Sequence, residues 1–222
     1  AVFINSTLVE SGNRAIISNV KLDPNYFTHV FDLNDSIKDT ISYATAISLS
    51  ARFPLVSPGA QLTPTKGLKK KFHLVDGGYY DNQGGTTMCE VLNSLSFDPC
   101  KDSLLIQPYL IQTVFDAETE NESKGVSFLN ELTEVVTGIY QTRNGHTTYA
   151  NLQLQKKINE MHGLYLELKV ANSTQEIPNN WILSAYAVKQ ANTRVSNLLI
   201  GKDPKDTTRL VQFLDLCCPK AH

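Results

Sequence analysis

Between Phe72 and Gly85 the chain reads Phe-His-Leu-Val-Asp-Gly-Gly-Tyr-Tyr-Asp-Asn-Gln-Gly-Gly, a short apolar run that stops at a carboxylate followed by two glycines. Phe72 to Val75 has the length and composition of a buried strand. That places Asp76 at the strand's end, where open α/β sheets gather their sites. Gly77 and Gly78 carry no Cβ to obstruct a tight turn, so the backbone can approach a neighbour closely and the carboxylate is held rather than dangling. A carboxylate so held can move a proton, cap the turn that follows it, or bind a cation. The third use fits worst, because the spacing of Asp76, Asp81 and Asn82 fails the calcium-loop pattern, and no metal is expected. Capping is common for Asp before Gly and stands beside proton transfer as an open reading. Asp81 and Asn82 are expected to stabilise the turn through their own side chains rather than touch a substrate.

Other reactive residue types carry less. His29, His73, His146, His162 and His222 are expected to be packed or surface histidines. His73 lies in the strand itself, where alternation sends it to the face opposite Leu74, with no nucleophile nearby. Cys89, Cys100, Cys217 and Cys218 lack metal-type spacing, and the last two are sequence neighbours that could bridge only with strain. The basic run Lys66-Gly67-Leu68-Lys69-Lys70-Lys71 is read as a solvated turn. Its functional alternative is contact with anionic headgroups, worth at most about 1 kcal/mol per lysine, which would orient but not anchor the protein. Trp181 and the tyrosines are read as packing residues that could also suit acyl chains.

The elements that must position Asp76 can be followed along the chain. Val2 to Ile4 and Arg14 to Val20 read as strands joined by the polar turn Glu10-Ser11-Gly12-Asn13. Ser36-Ile37-Lys38-Asp39 looks like a capping box opening a helix of small residues that Phe53-Pro54 ends. Leu55 to Gly67 is a loop rich in Pro and Gly. Thr87-Met88-Cys89-Glu90 suggests a second capping box, with a helix running to about Ser96. Ser103 to Gln107 and Tyr109 to Phe115 are extended, with the acidic loop Asp116 to Gly125 after them. Two helices are expected over Val126 to Tyr140 and Thr147 to His162, the second closed by Gly163. Leu164, Leu166, Leu168 and Val170 alternate as one face of a half-buried strand. A long helix capped by Ser184 reaches about Ile200, and Thr207 to Leu216 reads as a short helix.

At 222 residues, with 41% hydrophobic and 19% charged, the chain can bury a sizeable core. It is read as one domain over 1–222, with 201–222 as a loosely attached tail. A net charge of -2 offers no basic surplus, so nucleic acid is set aside as a partner. No apolar run approaches the roughly 20 residues of a membrane span, and the N-terminus lacks a signal peptide's basic flank and apolar stretch. With reduced thiols as the simplest reading, a cytoplasmic or peripheral-membrane setting is favoured. Ala1-Val2-Phe3-Ile4-Asn5-Ser6-Thr7 reads as a strand entered part-way, so the chain is expected to continue a longer polypeptide.

Val75-Asp76-Gly77-Gly78-Tyr79-Tyr80-Asp81-Asn82 resembles the Asp-Gly-Gly motif of the patatin-like phospholipases, a family of serine lipid acyl hydrolases. Phe3-Ile4-Asn5-Ser6-Thr7 with Gly12, and Ala46-Ile47-Ser48-Leu49-Ser50-Ala51-Arg52-Phe53-Pro54, are similar to other segments of that family. Pro178 with Trp181-Ile182-Leu183-Ser184 resembles a later one. Residues 1 to about 90 carry most of the match. The resemblance implies an α/β fold with a largely parallel sheet flanked by helices on both faces. It further implies a Ser-Asp dyad in which the serine of a Gly-x-Ser-x-Gly turn attacks an ester and the Asp is its base. Only the Asp can be carried over, onto Asp76, with Gly77, Gly78 and Asn82 shaping its turn.

No Gly-x-Ser-x-Gly occurs in this chain. Gly125-Val126-Ser127-Phe128-Leu129 lacks the second glycine and the strand-to-helix setting. Loss of a nucleophilic serine costs on the order of 10⁶ in turnover in a well-studied hydrolase, against roughly 10²–10⁴ for a general base. The chain alone is therefore expected to be inactive. It is read as the C-terminal half of a catalytic domain acting on phospholipid or another acyl ester, without cofactor. The alternative is a non-catalytic lipid- or protein-binding module on the same scaffold.

Overall fold

In the computed structural model, residues 1–37, 40–52, 57–63, 71–95, 106–114, 130–169, 188–189, 192–193, 196–197 and 204–217 are described. By the density of contacts the chain divides into two compact units: residues 1–106 with 127–157, and residues 107–126 with 158–222.

The first unit is built on a five-stranded mixed sheet. Strands β1 (Phe3–Leu8) and β2 (Arg14–Ser18) pair antiparallel, Thr7 facing Arg14 and Phe3 facing Ser18. The turn between them closes by Leu8 N–H donating to Asn13 O at 2.8 Å and Gly12 N–H to Leu8 O at 2.8 Å. Gly12 has φ of 70°, a left-handed conformation that glycine adopts without strain. β3 (Val30–Asp32), β4 (Ala60–Leu62) and β5 (Phe72–Asp76) complete the order β3-β2-β1-β5-β4. β1 pairs with β5 and β4 with β5, both antiparallel; β2 with β3 is parallel.

The fold is thus α/β, but its sheet is not largely parallel, which corrects the expectation from sequence. A parallel neighbour needs a crossover of a dozen or more residues, whereas the short turn from β1 to β2 forces reversal. β5 then enters between two strands that both run against it.

All five residues of β2 are buried, so both faces of the sheet are covered. On one face Leu8, Ala15, Ile17 and Leu74 pack with Leu33, Ala46, Leu49 and Ala60. On the other Ile16 packs with Leu22, Phe27, Phe3, Val30 and Val91. Helix α1 (Leu33–Ser36) is capped by Asp32, whose carboxylate accepts the Asn34 N–H at 2.9 Å. Helix α2 (Tyr43–Ser50) is capped by Ser42, which accepts the Thr45 N–H at 3.1 Å. Ser36 therefore ends a helix instead of opening one. Ile37 and Ile41 precede α2 but still join the core that Ala46 and Leu49 fill.

After β5 come a single helical turn α3 (Gly78–Asp81) and helix α4 (Gly85–Ser94). Thr87 lies within the first turn of α4 and is not its cap. Helix α5 (Asn130–Glu160) is one helix of 31 residues, correcting the expected pair. Gly145 falls in the interval between the two expected helices, but a helical glycine costs only about 1 kcal/mol relative to Ala, too little to interrupt α5.

In the second unit β6 (Tyr109–Val114) pairs parallel with β7 (Leu164–Lys169), Tyr109 facing Leu164. Gly163 does not take the left-handed position after α5; His162 does, with φ of 55°. Gly163 is needed for a close approach, since a Cβ there would strike the Pro108 carbonyl and lie 2.8 Å from Ile158 Cγ2. Helix α6 (Pro204–Cys217) lies within the expected tail, and its Phe213 is buried edge-on to Tyr109 at 6.1 Å.

Several expectations fall outside the described residues: the Phe53-Pro54 stop, Lys66 to Lys70, the Ser103 start of a strand, the acidic loop, the Trp181 segment and the Ser184 cap. Among the described residues no helix is long and apolar enough to cross a membrane, and no cluster of three or more His, Cys, Asp or Glu could hold a metal ion.

Candidate functional site

Asp76 is the last residue of β5, opposite Ser6 of β1. Its backbone is fixed on both sides. The Asp76 N–H donates to Arg52 O and the Gly77 N–H to Ser50 O, each at 2.9 Å, so carbonyls at the end of α2 that the helix cannot satisfy are taken by this turn. Thr7 Oγ1 donates to Asp76 O at 2.9 Å. Gly77 passes directly under β1, where a Cβ would overlap the backbone carbonyl of Asn5.

The Asp76 side chain is one-fifth exposed. Oδ1 accepts the Gly78 N–H at 2.7 Å, the capping bond that local sequence allows. Oδ2 accepts no hydrogen bond from the described residues. One oxygen thus fixes the carboxylate, and the other remains for a proton donor. Ser6 lies across the strand pair but is fully buried with its hydroxyl unpartnered, so no substrate reaches it.

Around this turn the structure gathers a residue that sequence reasoning missed. Arg143 of α5 donates through Nη2 to Asn82 Oδ1, stands 4.0 Å from Asp76 Oδ1, and lies over the Tyr79 ring at 5.8 Å. Arg143 is 61 positions from Asn82 and its neighbours in sequence are polar, so no local pattern marks it. Asn82 shapes the site by holding this arginine. Burial pushes the Tyr79 phenol above its ordinary pKa and Asp76 adds to the rise, while Arg143 opposes it.

Asp81 belongs to a separate, buried layer. Its carboxylate accepts the N–H groups of Thr86 at 3.3 Å and Thr87 at 2.9 Å, so it caps α4, whose own N-cap is glycine. Thr87 Oγ1 donates to Asp81 at 2.7 Å and accepts from Arg14 Nη1 at 2.9 Å. Arg14, 1% exposed, stands 3.7 Å from Asp81 and bonds to Glu90 on its other side. Asn5 Nδ2 joins Thr87 at 2.9 Å. Asn5 therefore links the layer to Gly77, which its carbonyl overlies. Burial raises the Glu90 carboxyl above its usual range, with Arg14 opposing and Asp81 reinforcing the rise.

His73 is a surface residue hydrogen-bonded through Nδ1 to Glu10 at 2.7 Å, and His146 meets the Tyr80 ring edge-on at 5.7 Å. Neither is near Asp76's free oxygen in any described contact. Cys89 is a free thiol whose pKa burial pushes up to about 11, with Asp81 adding to the rise, so it is no nucleophile at neutral pH.

Compared with protein-family models, with curated proteins and with solved structures, the chain matches none.

Proposed function

We propose that this chain is the Asp-bearing part of a patatin-like lipid acyl hydrolase, and that Asp76 is the general base for a serine lying N-terminal to Ala1 in the same polypeptide. The supporting observation is the state of the Asp76 carboxylate: Oδ1 is tied to the Gly78 N–H and Oδ2 is without a hydrogen bond among the described residues. A base needs this combination of fixed orientation and one available lone pair.

In the proposed reaction the serine Oγ bonds to the ester carbonyl carbon as its proton passes to Asp76 Oδ2. Collapse of the tetrahedral intermediate breaks the bond to the leaving alcohol, which takes that proton. Water then attacks the acyl-serine, giving its proton to Asp76, and the returning serine recovers it. The substrate is a phospholipid or another acyl ester, no cofactor takes part, and peripheral contact with a membrane would present it.

A second reading is favoured by the same turn. The Gly78 bond and the nearby Arg143 give Asp76 a structural role without chemistry, as in a non-catalytic lipid- or protein-binding module. The two separate when the 222-residue chain and a protein extended upstream are assayed on a p-nitrophenyl acyl ester. Hydrolysis by the extended protein alone, with a Gly-x-Ser-x-Gly in the added sequence, is expected. An extended protein without that motif and without turnover supports the module instead.

A further inference from the structure

Arg143 and Arg14 are both largely buried guanidinium groups, but they are provided for differently. Arg14 lies between two carboxylates, Asp81 and Glu90, and also donates to Thr87. Arg143, with a side chain 12% exposed, makes one side-chain hydrogen bond among the described residues, through Nη2 to Asn82 Oδ1. The carboxylate of Asp76 at 4.0 Å is beyond hydrogen-bond reach. The Nε of Arg143, like that of Arg14, is buried without a partner, so the two differ in what their terminal nitrogens meet: carboxylates and a hydroxyl for Arg14, a single carboxamide oxygen for Arg143 among the described residues. A guanidinium offers five N–H donors, and a buried donor left unpaired bears its desolvation cost without return.

Gly78 sets how closely the groups around it gather. A Cβ on Gly78 would overlap Arg143 Nη2 and lie 2.5 Å from Asn82 Oδ1 and 2.7 Å from Asp76 Oδ1. Glycine at 78 is thus what lets a guanidinium, a carboxamide and a carboxylate converge on one point. Asn82 and the Tyr79 ring hold the guanidinium plane in place before any ligand arrives.

We propose that Arg143 is an oxyanion receptor beside Asp76, completed by a phosphate-type anion carried on the ligand. Arg matches such groups through paired N–H donors, and the idle donors of Arg143 are the ones a phosphate oxygen would take up. That this anion belongs to an ester substrate rests on Asp76 being the base proposed above; the binding itself does not.

The test is an amide and guanidinium NMR titration of the 222-residue chain with glycerol 3-phosphate, with glycerol as the uncharged control. Saturable shifts are expected at Gly77 to Asn82 and at the Arg143 Nε–H with the phosphate and not with glycerol. Arg143→Gln should abolish them while the β1–β2 hairpin amides stay in place, and Arg143→Lys, which keeps the charge but not the paired donors, should weaken affinity at least threefold. Lysophosphatidic acid binding at least tenfold tighter than glycerol 3-phosphate assigns the anion to a lipid, and equal affinity assigns it to a soluble ester; either upholds the site. Equal shifts with glycerol, no shifts with either phosphate, or shifts that persist in Arg143→Gln or are undiminished in Arg143→Lys overturn it. Because turnover is not read, such a failure leaves the role of Asp76 standing.

Discussion

Gly77 and Gly78 are constrained for different reasons, and substitution should separate them. An alanine at 77 puts a methyl group into the Asn5 backbone carbonyl, which cannot move without opening the pairing of β1 with β5. Gly77→Ala is expected to destabilise the first unit by about 1–3 kcal/mol or more, read as a lowered denaturant midpoint at constant slope. An alanine at 78 meets side-chain ends, so its larger effect should be displacement of Arg143 from Asn82. Cys89 gives a second test at this scale. With its thiol near pKa 11 where 9 is ordinary, its labelling at pH 7.5 should be about 100-fold slower than that of an open thiol, and should rise about tenfold per pH unit. Mass spectrometry of the Cys89 peptide measures it. Labelling at the rate of a free thiol would mean that the layer around Asp81 is open.

Among the elements, α4 is held less by its own sequence than by the carboxylate that caps it and the arginine behind that carboxylate. Arg14→Met leaves Asp81 and Glu90 buried without their cation, a loss expected to cost about 3–5 kcal/mol. Adding Asp81→Asn and Glu90→Gln should recover much of it, and the double-mutant arithmetic reports the coupling. Full additivity would show that the three do not act together.

What was legible in the sequence follows from the range of the interaction. β5 and its turn could be read because an apolar run, an acid and two glycines are adjacent, and the β1–β2 hairpin because its turn residues are local. β3 and β4, three residues each, are too short for alternation to register. Strand direction was misread because it depends on which strands become neighbours, and α5 was divided because the polar stretch from Gln141 to His146 separates its two apolar sets, an interval that packing on either side carries as helix. At the site, Asp76, Gly77, Gly78 and Asn82 were visible, whereas Arg143 comes from a helix far along the chain and Arg14 looked like an ordinary strand residue.

For the whole molecule, the division into two units predicts separable stability. The β6–β7 pair depends on Gly163 clearing the Pro108 carbonyl and Ile158. Gly163→Ala should therefore lower amide-exchange protection in Tyr109–Val114 and Leu164–Lys169 and spare Arg14–Ser18. Equal loss in both would show one cooperative body.

The role of Asp76 is tested most directly by the ester-hydrolysis rate of the upstream-extended protein carrying Asp76→Asn, with Glu10→Gln as a surface control. Asparagine keeps the shape and an oxygen for the Gly78 N–H but accepts no proton, so kcat/KM should fall by about 10²–10⁴ with the fold intact. An Asp76→Asn protein that hydrolyses esters at close to the control rate would contradict the assignment.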